Sequence, residues 1–328
     1  VIWVSWRRQR VQLLTLLGLL VVGAGIIALL RSSMIHDINS LGLGRCVTQA
    51  APECSTDRPG TFREAWTDRL NLGQAAILCL PVLIGVFIGA PLFARELEQG
   101  THVLAFTQSV SRTRWMFSKL AVALAPALIV LIALQYLVSW LLSAAGLLGP
   151  RASGAFHFLN FGIEQASPVA YTLFAFAFGA FLGVVSRRTL VAMTGTLGAF
   201  VVARFALSGL AAHLVTPEHL EAGPGGNVAE LQGGGMTIAR GWLDTAGRPV
   251  AADTARALLQ ACKSAPDGSP RTQEEFLACL PQSGLGKQYL SFIPESQAWQ
   301  LHLIDASIFG GLAVALLAGT AWVLRRQT

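Results

Sequence analysis

Six long apolar segments limit what this chain can fold into. They run from Leu13 to Leu30, Leu72 to Phe93, Leu120 to Leu142, Val169 to Val185, Leu190 to Leu210 and Ile304 to Leu324. Each has roughly 17–23 residues, enough to cross about 30 Å of hydrocarbon at about 1.5 Å per residue. Composition agrees, with 53% of residues apolar and only 13% charged, about half the charge of a soluble domain. Mean hydropathy is +0.55. The expected fold class is an all-α polytopic membrane protein with six transmembrane helices.

Orientation follows from Lys and Arg. Arg7, Arg8 and Arg10 precede the first segment, and Arg95, Arg112, Arg114 and Lys119 lie between the second and third. Arg187 and Arg188 fill the turn between the fourth and fifth, and Arg325 and Arg326 follow the sixth. Six crossings put all four places on one side, which the positive-inside bias makes cytoplasmic, with both termini. The net charge of +6 is therefore a signature of topology, and no nucleic-acid partner is expected. The head, with Trp3 and Trp6 among its arginines, reads as an interfacial helix over 1–12.

The two long loops fall on the other side, outside a plasma membrane. The first, about 31–71, holds Cys46 and Cys54; the second, about 211–303, holds Cys262 and Cys279. Paired cysteines on an oxidising side predict disulfides Cys46–Cys54 and Cys262–Cys279. The second loop begins rich in Gly and Pro, and then turns helical. Asp253 opens DTARALLQAC, and Thr272 with Glu275 forms a capping box ahead of FLACL. A small extracellular helical cap is expected, with Tyr289, Phe292, Pro294 and Trp299 returning the chain to the bilayer as an aromatic belt. The domain division is a membrane domain over 1–210, a cap over 211–303, and the sixth span and tail over 304–328.

Chemical motifs are sparse. Gly284-Leu-Gly-Lys-Gln288 lacks both the leading glycine and the Ser/Thr after Lys287 that a phosphate loop needs. There is neither an HExxH nor a Gly-x-Ser-x-Gly elbow, and the histidines are scattered. No catalytic residue, metal site or cofactor is expected in this chain. Two intramembrane charges remain, Arg204 in the fifth segment and Asp305 at the start of the sixth. Their depths match, and pairing would lower the cost of burying each.

The stretch 94–119, ARELEQGTHVLAFTQSVSRTRWMFSK, is the other outlier. Positive-inside placement accounts for its arginines but not for Glu96 and Glu98 at the membrane exit. Glu96-Leu-Glu98-Gln-Gly100-Thr101, followed by Ser111-Arg112 and Lys119, resembles the E-x-E-x-G-T…R…K pattern of ABC type-2 transporter permeases, particularly actinobacterial ones. The six-span layout resembles theirs too. The resemblance implies a non-enzymatic permease, an exporter of lipid, drug or other amphipathic substrate. It implies pairing with a second copy or a paralogous permease, amid membrane lipid. It also implies a separate nucleotide-binding ATPase subunit, which binds ATP and Mg. The stretch then acts as a coupling helix, with Glu96, Glu98, Gly100, Thr101 and Arg112 meeting the ATPase. The alternative is a membrane sensor or scaffold whose stapled outer domain binds a ligand or partner.

Overall fold

The computed structural model describes residues 2–49, 54, 57–99, 112–211, 213–226, 234–264 and 269–326. The chain divides into two compact units. One comprises Val1–Ser153, His157–Ala211 and Leu301–Thr328; the other comprises Gly154–Phe156 and Ala212–Gln300. Among the described residues, six helices are long and apolar enough to cross a membrane. The chain is a mostly helical, multi-pass membrane protein.

In the first unit, α1 (Ile2–Ser40) packs against α4 (Arg112–Ala145). The head does not form a separate interfacial helix. It runs into the first span without a break, because no proline or glycine occurs before Gly18. The loop expected over 31–71 is also mostly helix, since α1 continues to Ser40 and α2 (Asp57–Ile84) begins early. Phe62, Trp66 and Leu70 recur at helical spacing and are all buried. The Trp66 indole Nε1 donates to Asp37 Oδ2 at 2.9 Å, tying the ends of α1 and α2 together. Between these helices, a 3-10 turn at Gly44–Val47 carries Cys46, which is disulfide-bonded to Cys54 with Cα atoms 5.7 Å apart.

The second span is one rod from Asp57 to Glu98 with an irregular middle. Pro81 cannot donate to the carbonyl one turn earlier, and a π-helical turn follows at Gly85–Gly89, leading into α3 (Ala90–Glu98). This irregular section lies against α6 (Ser167–Ser186), backbone to backbone. A Cβ on Gly85 would stand 2.7 Å from the Ala175 carbonyl oxygen, and one on Gly89 2.6 Å from that of Phe176. From the other side, a Cβ on Gly179 would meet the Ala90 nitrogen at 2.7 Å, and one on Gly183 the Ala90 oxygen at 2.6 Å. Small residues four apart on both helices create this approach, which dispersion rather than the hydrophobic effect holds in lipid.

Arg187, in the left-handed conformation at φ 52°, turns the chain from α6 into α7 (Thr189–Ala211). Helix α10 (Ala298–Arg326) packs on α6 through aromatic side chains, with the Phe309 ring 4.8 Å from that of Tyr171 and 5.3 Å from that of Phe174.

The second unit departs from the all-helical cap. Among the described residues it holds four strands, β1 (Glu218–Ala222), β2 (Met236–Leu243), β3 (Pro249–Val250) and β4 (Lys287–Ile293), in the antiparallel order β1-β4-β2-β3. Tyr289 and Phe292, read from sequence as part of an aromatic belt, are strand residues. Tyr289 pairs with Gly241 and covers it, with Cε1 2.8 Å from where a Cβ would stand. Cross-strand pairing of this kind is invisible to local periodicity. The two expected helices are present as α8 (Ala252–Lys263) and α9 (Gln273–Gln282). Cys262 and Cys279 join them, with Cα atoms 5.8 Å apart. The Thr272–Glu275 capping box is formed in both directions. Asp244 organises the β2–β3 turn, accepting from the backbone N–H groups of Ala246 and Arg248, each at 2.8 Å. The Arg248 backbone bond is the largest of the effects that hold its carboxyl below the usual range.

Two outcomes are expected. Gly89→Leu or Gly183→Leu must separate α6 from the second span, costing about 1–3 kcal/mol or more. Either should lower the thermal midpoint of the full chain in detergent, whereas Gly198→Ala, with open space around its Cβ position inside α7, should not lower it. The folded-state pKa of Asp244 lies below its unfolded value, so its contribution is fully present above about pH 4 and lost as pH falls through the lower folded value. Protection of the Ala246 and Arg248 amides, measured relative to their intrinsic exchange rates, should fall over that acidic window, and Asp244→Asn should remove that pH-dependent loss.

Candidate functional site

Two groups of polar residues in the membrane unit stand out against its apolar helices. The first lies where the second span ends. In α3 the pattern Arg95-Glu96-Leu97-Glu98 puts the two carboxylates on different sides of the helix, because residues two apart do not share a face. Each carboxylate finds a different neighbour. Glu96 makes an ion pair with Lys119 in the first turns of the third span, and only 18% of its side chain is exposed. Lys119 Nζ also lies 4.3 Å from the centre of the Trp115 ring, which packs 5.7 Å from Phe93. The ion pair thus sits in an aromatic setting that limits screening by water.

Glu98 reaches the other way. Its Oε2 accepts from the Thr189 hydroxyl at 2.7 Å and from the Thr189 backbone N–H at 3.1 Å. Thr189 is the first residue of α7, so Glu98 does the work of an N-cap from another helix. It satisfies a donor left open at the helix start and places negative charge at the positive end of the helix dipole. Of the other residues expected to meet an ATPase, Gly100 and Thr101 lie outside the described residues. Arg112 opens α4, and its side chain is likewise outside them.

The second group surrounds Arg204, which is 7% exposed. Arg204 and Asp305 are drawn into one cluster but do not form the direct pair expected from sequence. Tyr171 of α6 stands between them. Its hydroxyl donates to Asp305 Oδ2, and its ring lies 4.5 Å from the Arg204 guanidinium carbon. The tyrosine couples the two charges, by a charge-assisted hydrogen bond on one side and its π face on the other. Nearby, the buried His302 stacks on Phe161 at 4.1 Å, and its Nδ1 lies 2.8 Å from the Ser167 hydroxyl. Gln74 of the second span donates to Asn160 at 2.6 Å. The short helix α5 (Phe158–Ile163) supplies Asn160 and Phe161, and Gly162, where a Cβ would stand 2.5 Å from Leu78 Cδ1 and 3.6 Å from an Arg204 guanidinium nitrogen. Sequence reasoning found the two charges and missed Tyr171, Ser167, His302 and Thr189. Polar residues inside apolar segments were the available signal, but which of them face each other depends on helix packing.

Six candidate spans, a charged stretch between the second and third, and polar residues held between the helices describe a multi-pass membrane protein with few polar links. Residues 17–211, more than half of the chain, match the family described as ABC-2 membrane transporter related, and the chain belongs to that family. It is a transporter permease. No curated protein and no solved structure matches it.

Removing the Tyr171 hydroxyl should leave the Asp305 carboxylate without that donor in a half-buried place. Tyr171→Phe is expected to destabilise the full chain by about 1–3 kcal/mol, read as a lower thermal midpoint. Tyr171→Phe combined with Asp305→Asn should recover part of the loss. If Tyr171→Phe melts like the wild type, the tyrosine link is wrong.

Proposed function

We propose that this chain is the non-enzymatic permease of an ATP-driven exporter, powered by a separate nucleotide-binding ATPase that docks on the 94–119 stretch. The observation that carries the reading is the sequence Glu96-Leu-Glu98-Gln-Gly100-Thr101 at the end of the second span, within the region that matches the family. ATP and Mg are bound by the partner subunit. Two permeases, identical or paralogous, form the pathway between them. The substrate class is lipid, drug or another amphipathic molecule, and the membrane is the plasma membrane.

Three features support placing the Glu98 end in the cytoplasm. Arg95, Arg187, Arg188, Arg325 and Arg326 collect at span ends that alternation puts on one face. The Glu98–Thr189 bonds hold the end of the second span and the start of the fifth at the same level. Both disulfides lie in the connections assigned to the opposite, oxidising side. The coupling role rests on population shift, with an ATPase that binds the two permease states unequally moving the equilibrium between them.

A sensor or scaffold reading draws on one feature, the folded, disulfide-joined 212–300 region beyond the residues that match the family. The test is purification of the full chain in mild detergent from its native membrane. A retained subunit that hydrolyses ATP, and vesicles that move a lipophilic fluorescent dye only when ATP is supplied on the ATPase side, are the expected result. A chain that retains no ATPase under any mild condition would sink the ATP-driven exporter reading and favour the sensor.

A further inference from the structure

The resemblance assigns Glu96 and Glu98 to contact with the ATPase, yet both carboxylates are already engaged within the permease. We propose that they are positioning residues. Glu96 ties the end of the second span to the third span and Glu98 ties it to the fifth, so that a push on the end of the second span reaches both spans at once. This inference rests on the permease reading above.

The geometry is specific. Most of the Glu96 side chain is hidden, and its partner Lys119 is 8% exposed, which leaves little of the pair for an incoming subunit. Breaking a sheltered ion pair from one side strands the other charge, which makes such a pair stiff against small displacements. Glu98 is solvent-exposed, but its Oε2 holds both the hydroxyl and the backbone N–H of Thr189. That two-point hold fixes the direction as well as the position of the first turn of α7. Arg188, next to it, adds attraction to the same carboxylate.

The second span is also in backbone contact with the fourth through Gly89, Ala90 and Gly183, within three turns of Glu98. Its terminal section is therefore the common attachment of the third, fourth and fifth spans. A docking segment that follows directly after Glu98 pushes on a junction and not on one helix. Two glutamates two residues apart suit this use, because they leave the helix in different directions.

The test uses the full chain with its retained ATPase in lipid nanodiscs. With Cys79→Ser as background, spin labels are placed at the exposed Phe117 and Leu190, beside the two attachments, and their separation is measured with and without ATP plus vanadate. The wild type should change separation on trapping. Glu98→Ala and Thr189→Val should each lose that change while still retaining the ATPase, and Thr189→Ser, which keeps the hydroxyl, should restore it. Glu96→Lys and Lys119→Glu should each lower the thermal midpoint of the permease alone, and the double swap should recover it.

If Glu98→Ala releases the ATPase while Thr189→Val behaves like the wild type, Glu98 is a docking contact and the proposal is overturned. Additive effects of Glu96→Lys and Lys119→Glu would overturn the other strut. If the wild type retains no ATPase, it is the ATP-driven exporter reading that fails. The swap and a matching Glu98/Thr189 stability cycle, which need no ATPase, still decide the struts.

Discussion

Backbone contact between the second and fourth spans is the constraint on which the membrane unit depends. Gly85, Gly89, Gly179 and Gly183 sit where any side chain would strike the backbone of the facing helix at under 3 Å. In lipid there is no gain from hiding one apolar surface against another, so helices adhere through close dispersion contact and polar links. Glycine permits the closest approach available, at a cost in helix propensity that the packing offsets. Pro81 and the π-helical turn after it make the second span irregular at that contact.

Around this pair the other spans attach by different physics at the two ends. At the Glu98 end the links are ionic and helix-capping, and reach the third and fifth spans. Toward the other end, the links to the fifth and sixth spans run through Tyr171 of the fourth to Arg204 and Asp305, with Ser167 meeting His302. Both sets place polar groups where a low dielectric strengthens a satisfied interaction and makes an unsatisfied one costly. That favours discrete arrangements over gradual drift.

Much of the membrane fold was legible because its signals are local. An apolar run of the right length is a span wherever it falls, and Thr272 with Glu275 announces a helix start within four residues. The 94–119 stretch was legible as a motif, Glu96 to Thr101, without any knowledge of what its carboxylates touch. The second unit was half legible. Its two helices carry their own caps and periodicity, but β1, β2 and β4 pair across long sequence separations, and Tyr289 could be placed only by knowing that Gly241 lies opposite. The stripe Gly85, Gly89 and Gly179, Gly183 was written in the sequence at four-residue spacing, and its meaning depends on which helix faces which.

By itself the sequence determined that the chain spans a membrane six times, where its charges collect, and that it resembles an ABC type-2 permease. The first two follow from transfer of residues between water and hydrocarbon, a property that each segment has on its own, and the third from the motif over Glu96 to Lys119. Only the tertiary structure decided that Glu96 belongs to Lys119 and Glu98 to Thr189. It also decided that Tyr171 stands between Arg204 and Asp305, and that the 212–300 region contains a sheet. Partners of this kind are set by the rotation and register of packed helices and strands. That information arises only when glycine-lined backbones and cross-strand pairs come together, because a uniformly apolar helix does not say which of its sides faces a neighbour.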